Sequence, residues 1–197
     1  MNSCLRIVVA DDEPDMQKYF SKCLPRLGHK VLAVAANGRD LVEQCRTLKP
    51  DLVITDIKMP DMDGIEAATQ IFRERPVPVI LVSAYHDAEL IARAEADHIL
   101  GYLVKPIKQA DLEPAIALAV RRFEQFQDLR QEASDLRQAL ADRKAIERAK
   151  GILMKRAHLD EQTAFQRLQK QAMDKGRKLV DIARTIVEAE EAVLGPG

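Results

Sequence analysis

No window of this chain holds about 18 consecutive apolar residues, which excludes a membrane-spanning helix. The opening Met1-Asn2-Ser3-Cys4-Leu5-Arg6 lacks the basic and apolar regions of a secretory signal, so a cytoplasmic protein is expected. Cysteine is scarce: Cys4, Cys23 and Cys45 are odd in number and form no metal-like pair, and free thiols are expected in place of a disulfide. Glycine is scarce too, 8 residues in 197, and none of it builds a glycine-rich phosphate loop. Charge of one sign is missing in bulk, the formal net charge being −1. What is present is 47% hydrophobic and 31% charged, the balance of a globular chain long enough for one large or two small domains.

The near-zero net charge hides an asymmetry. Residues 1–120 hold 14 Lys and Arg against 18 Asp and Glu, whereas residues 143–178 hold 11 against 4. An acidic front and a basic back point to different partners for the two halves. Patterning divides the chain in the same way. Up to residue 120, apolar runs at 5–10, 31–36, 52–56, 77–82 and 99–104 alternate with amphipathic segments at 14–27, 38–48, 64–75 and 87–96. Strands so continuously apolar belong in a parallel sheet covered by helices on both faces, so a doubly wound α/β domain is expected over 4–120. Gly28, Asn37-Gly38, Pro50, Pro60, Gly64 and Pro76 fall between the periodic segments, where turns are needed.

Four of the apolar runs end in polar residues: Asp11-Asp12, Asp56, Ser83 and Lys105. In an open parallel sheet the ligand site lies beyond the carboxyl ends of the strands, which would gather these groups in one crevice. Each suits phosphoryl chemistry. A carboxylate can attack a phosphoryl group and hold it as an acyl phosphate, and Asp56, ahead of the tight Lys58-Met59-Pro60 loop, is the candidate. Nucleophile and phosphoryl group are both anionic, so a cation is required. Mg²⁺ prefers oxygen ligands, which Asp11, Asp12 and Asp56 offer together with the backbone carbonyl near Lys58. Lys105 would neutralise the phosphoryl oxygens and Ser83 would hydrogen-bond one of them. Taken singly, each residue reads as a turn or cap former; the signal is their joint placement, each at its own strand end.

With Met59-Pro60-x-Met62-Asp63-Gly64, Ser83-Ala84 and Tyr102-x-x-Lys105-Pro106 added, residues 4–120 resemble the receiver domain of two-component response regulators. The resemblance implies a five-stranded flavodoxin-like fold that takes phosphate from a cognate histidine kinase onto Asp56, with Mg²⁺ as cofactor. In that family the hydroxyl at the Ser83 position moves toward the phosphate and the aromatic at the Tyr102 position turns inward. The surface around the fourth helix and fifth strand changes as a result. The blander reading of Tyr102 is a half-buried strand aromatic. No expected group is missing, so a working switch is expected, one that assists its own phosphorylation and dephosphorylation without an enzymatic output. Lys58 would reach the phosphoryl group and alter its hydrolysis rate.

From about Lys108 the pattern is helical, and no Gly or Pro falls between Ala115 and Lys150. Phe126, Leu129, Ala133, Leu136 and Leu140 repeat at 3-4-3-4 spacing, the a/d seam of a coiled coil, so residues 121–142 are expected to form a dimerising linker helix. The blander reading is a helix packed on its own domain. Three helical segments follow, ending near Arg156, spanning about 160–174 and about 178–194, with Asp160 as a cap and Gly176 as a break. Their expected core is Ile152, Leu153, Ala164, Phe165, Leu168, Ala172, Met173, Leu179, Ile182, Ala183 and Ile186. So small a bundle needs support from the preceding helix.

Ala149-Lys150-Gly151-Ile152-Leu153-Met154, Ala164-Phe165-x-x-Leu168-Gln169 and Ala172-Met173 resemble the ANTAR domain of transcription antitermination regulators, over 143–194. The resemblance implies a three-helix domain that binds RNA, namely paired stem-loops in leader transcripts, as a homodimer that prevents termination. Basic side chains would supply salt-sensitive phosphate contacts, and the candidates are Lys150, Lys155, Arg156, Arg167, Lys170, Arg177 and Lys178, with Lys144 and Arg148 weaker. No aromatic lies on the basic face, so base stacking would fall to Arg planes or His158. Two other outputs stay open. A helix-turn-helix reading of 160–190 makes DNA the target, although Leu179-Val180-Asp181-Ile182-Ala183 would open the recognition helix with apolar residues. A protein-interaction output would involve no nucleic acid at all.

Overall fold

The computed structural model describes residues 4–84 and 99–194; the helix expected over 87–96 lies outside them. Strands β1 (Arg6–Ala10), β2 (Lys30–Ala35), β3 (Leu52–Asp56), β4 (Val79–Ser83) and β5 (Ile99–Val104) form one parallel sheet in the order β2-β1-β3-β4-β5. The described helices are α1 (Pro14–Arg26), α2 (Gly38–Leu48), α3 (Gly64–Glu74), α4 (Gln109–Ala157), α5 (Glu161–Lys175) and α6 (Leu179–Leu194). Residues 1–127 and 128–197 form two compact units.

The sheet of the first unit is buried on both faces, which is why its strands read as unbroken apolar runs. Side chains of a strand alternate between faces. Ile7, Val9, Ile54, Ile80 and Val82 accordingly join Phe20 and Leu24 of α1 and Leu112 and Ile116 of α4. Val8, Val53, Val79 and Leu81 join Leu41 and Val42 of α2 and Ala67 and Ile71 of α3. Burying each such side chain is worth roughly 1.5–3 kcal/mol. Because β2 and β3 lie on opposite sides of β1, the strand order reverses at β1, and the crevice at that switch point opens between the carboxyl ends of β1 and β3. Local chemistry starts the covering helices: the side chains of Asn37 and Asp63 accept the backbone N–H of Asp40 and Glu66, each at 2.8 Å.

His29, just before β2, is 6% exposed and accepts the Leu5 N–H at Nδ1 at 3.4 Å. Burial lowers its pKa against a weaker opposing pull from Glu113. Because the folded chain holds this proton less well than the unfolded one, the neutral-imidazole contribution is complete above about pH 6.5 and declines as pH falls below it. We expect receiver stability to drop measurably between pH 7 and 5.5, and His29→Gln to flatten that slope in denaturant titrations.

The second unit is built from the end of α4 with α5 and α6. Ala149, Leu168, Ala172, Ile182 and Ala183 are its buried core, with Ile146, Leu153, Leu179, Ile186 and Val187 packed around them. Asp160 caps α5, accepting the Thr163 N–H at 2.8 Å, and Gly176 ends it with φ 59°, the left-handed conformation that glycine adopts freely. Three of the expected core residues need correction. Met173, read from sequence as core, is 81% exposed, and Phe165 and Ile152 are only half-buried. Ala164, Leu168 and Ala172 recur every fourth residue and own the inward stripe, so Met173, about 100° further round the helix, falls off it.

The long helix expected between the receiver and the bundle is α4, one 49-residue helix that runs through 121–142 without a break. On it, Leu129, Leu136 and Leu140 are 65%, 65% and 56% exposed. Phe126, the first residue of the apolar seam, instead packs on Phe72 of α3, with ring centroids 6.1 Å apart.

Candidate functional site

The ends of β1, β3 and β5 bring charged side chains together in the crevice. Asp11, fully buried, follows β1, and its N–H donates to the Ala35 carbonyl at 3.1 Å. Asp56 ends β3 and is 7% exposed; Asp12 is exposed. Oxygens of these three carboxylates all lie within 4.8 Å of one another. Ser83, 3% exposed, ends β4, and its carbonyl accepts the Lys105 N–H at 2.8 Å, which anchors the segment after β5 beside it. Gly64 lets α3 begin directly under β3: a Cβ there would collide with the Asp56 carbonyl, so no other residue fits without shifting the Asp56 backbone.

Lys105 is the cation of the cluster. Its Nζ lies 2.6 Å from Asp56 Oδ2, 2.9 Å from Glu13 Oε1 and 3.1 Å from Asp11 Oδ2. Burial opposes its charge, but Asp56, Glu13 and Asp11 outweigh that and hold its pKa above the ordinary lysine value. Asp11 shows the opposite balance. Burial raises its carboxyl pKa, and the Glu13 N–H, donating to Oδ1 at 2.9 Å, and the Lys105 charge offset it only in part. Asp11 Oδ2 faces the Lys105 ammonium at 3.1 Å and no other donor among the described residues. Asp56 Oδ1 accepts the Lys58 N–H at 3.3 Å, and the Lys58 side chain is exposed. Tyr102 is half-buried on β5 and packs toward the α2–α3 core. Glu13 is the member that the motif-based reading missed. The available signal was its place as the third acid in the run Asp11-Asp12-Glu13.

This geometry belongs to a known arrangement. The profile of the response regulator receiver domain matches residues 7–117, and that of the ANTAR domain matches residues 134–187. The chain belongs to the response regulators that join a receiver to an ANTAR domain. The regulator is 37% identical over 183 residues to the transcriptional regulatory protein PdtaR of Mycobacterium tuberculosis, covering 93% of this chain and 89% of that one. It is 42% identical over 107 residues to a protein-glutamate methylesterase/protein-glutamine glutaminase of Natronomonas pharaonis, covering 53% of this chain and 30% of the other. Among solved structures, the signal receiver domain of a modulated diguanylate cyclase from Desulfovibrio desulfuricans superposes with TM-score 0.58 at 27% identity, over 62% of this chain and 98% of that one. The receiver domain of the regulator NarL from Mycobacterium tuberculosis gives 0.57 at 26%, over 60% and 98%.

In the ANTAR half the regulator's candidate cations separate into two kinds. Lys150 is only 8% exposed, with its Nζ 2.9 Å from Glu147 and 2.7 Å from Glu161 and 6.0 Å from the centre of the Phe165 ring. Arg156 pairs with Glu190 and Arg148 with Glu191, each at 2.7 Å. Lys155, Arg167, Lys170, Arg177 and Lys178 are exposed, and among the described residues none of them lies within ion-pair distance of a carboxylate. Among the described residues, no helix is long and apolar enough to cross a membrane.

Proposed function

We propose that the regulator is a phosphorylation-controlled switch in which Asp56 accepts a phosphoryl group from a cognate histidine kinase and the ANTAR half binds stem-loops in nascent RNA, preventing termination. The observation that carries the input is Asp56 itself, held beside Lys105 in a pocket of carboxylates at the sheet's switch point. An Asp56 oxygen attacks phosphorus as the donor's P–N bond breaks and the imidazole leaves. Lys105 faces the negative charge on the transferred group, Ser83 hydrogen-bonds one of its oxygens, and Tyr102 follows inward.

The residues present fit a divalent cation. Asp11 Oδ2 is a buried carboxylate oxygen that faces a cation, the Lys105 ammonium, and two further carboxylates stand within 4.8 Å. Asp11, Asp12, Asp56 and the Lys58 carbonyl would hold Mg²⁺, whose charge lets two anions approach. In this reading the receiver occupies 4–120, the linker 121–142 and the ANTAR bundle 143–194. The exposed Leu129, Leu136 and Leu140 form the seam of a homodimer.

A gel shift with the full-length regulator tests the output. The probes are tandem RNA hairpins with randomised loops and a double-stranded DNA of equal length, with the protein untreated and treated with a small phosphodonor. Phosphorylation is expected to tighten hairpin binding at least about tenfold, with little affinity for DNA. Preference for the duplex DNA, or binding to neither, would sink the RNA reading.

A further inference from the structure

The ANTAR half has several exposed faces, and one of them combines free cations, amides and an apolar side chain with no packing role. The solvent side of α5 carries Gln166, Lys170 and Met173 at intervals of four and three residues, which a helix aligns in one row. Arg167 flanks that row, and Arg177 and Lys178 follow directly after the Gly176 turn. Met173 belongs to the motif by which the sequence resembles its family, yet it is 81% exposed and adds nothing to the core. A methionine is long, flexible and polarisable, suited to lie against the face of an aromatic ring. The rival surface is α6, which holds Asp181, Glu188, Glu190 and Glu191 against a single cation, Arg184, itself 2.6 Å from Asp142. Phosphates would be repelled there. Of the six cations at the end of α4, Arg148, Lys150 and Arg156 are paired with nearby glutamates, which leaves Arg143, Lys144 and Lys155 at separate points of that helix.

We infer that the solvent face of α5 is the RNA-reading surface, with Met173 packed against an unstacked loop base, Gln166 at a base edge and Lys170 on a phosphate. This rests on the RNA-binding reading above. Loop bases are unstacked and offer both π-faces and edges to a protein, whereas a phosphate contact reads no sequence. Lys150 on this view is a structural pin between α4 and α5 and touches no RNA.

The test uses full-length regulator and the tandem-hairpin RNA selected from a randomised-loop pool by the wild-type chain, titrated at several salt concentrations. Met173→Ala is expected to weaken binding about tenfold while leaving the slope of log affinity against log salt unchanged. Met173→Leu should restore affinity to within about threefold. Lys170→Ala should also weaken binding but reduce the slope by about 0.7–1, the value of one released counterion. Both side chains are exposed, so circular dichroism and Tm should match the wild type. Wild-type affinity in Met173→Ala and Lys170→Ala overturns the inference and leaves the face for a protein partner. A wild-type chain that retains no hairpin from the pool removes the RNA reading itself, and the inference with it.

Discussion

Asp56→Asn is expected to lose phosphoryl incorporation by at least about a thousandfold, measured as label transferred from a small phosphodonor or a histidine kinase. The substitution keeps shape and size but replaces an anionic nucleophile with a neutral amide, and removal of the attacking group from a covalent mechanism costs factors of this order or more. The structure makes the experiment selective. Lys105 loses its 2.6 Å partner but keeps Glu13 at 2.9 Å and Asp11 at 3.1 Å, so its charge stays compensated. One carboxylate fewer also relieves repulsion in a cluster whose oxygens lie within 4.8 Å. Stability should therefore shift by no more than about 1 kcal/mol, and loss of label in a protein of unchanged Tm is a chemical loss. Label retained above a tenth of the wild-type level would place the acceptor on another carboxylate.

Lys105→Ala should have the largest effect on the fold without divalent metal. Its ammonium contacts three carboxylates, and two of them, Asp11 and Asp56, are buried. Removing one partner from a buried ionic cluster typically costs about 3–5 kcal/mol. The exposed side of the crevice lowers this to about 2–3 kcal/mol here, a Tm loss near 10 °C in chelator for a domain of this size. Mg²⁺ should then stabilise the variant more than the wild type, because the competing cation has gone from among its ligands. Thermal melts of both proteins in chelator and in millimolar Mg²⁺ check this. A larger Mg²⁺-induced rise in the wild type would mean that the ion and Lys105 do not share these carboxylates.

Much of the receiver half was legible before any coordinates. Val8 and Val9 are both apolar because successive strand residues face opposite helix layers, and such doubly buried runs have few alternatives to a parallel sheet. Once that sheet is granted, Asp11, Asp56 and Lys105 meet at its carboxyl edge by topology alone. Glu13 escaped because it follows the strand end by two further residues, and its pairing with Lys105 depends on the path of the turn into α1.

The basic half was less legible. Its motif residues are mainly apolar, so pattern identifies the bundle without orienting it, and adjacent Ala172 and Met173 look equally suited to the core. Only the helix rotation set by Ala164, Leu168 and Ala172 decides that Met173 faces solvent. Lys150 is the converse case. Composition counts it with ten other cations in a basic segment, but Glu147 lies one helical turn before it and Glu161 reaches it from the start of α5. Spacing along the chain is enough to read which chemical group ends each strand and to which family each half belongs. Tertiary structure alone decided which charges are already neutralised and which side chains are left for a partner, because those depend on neighbours distant in sequence.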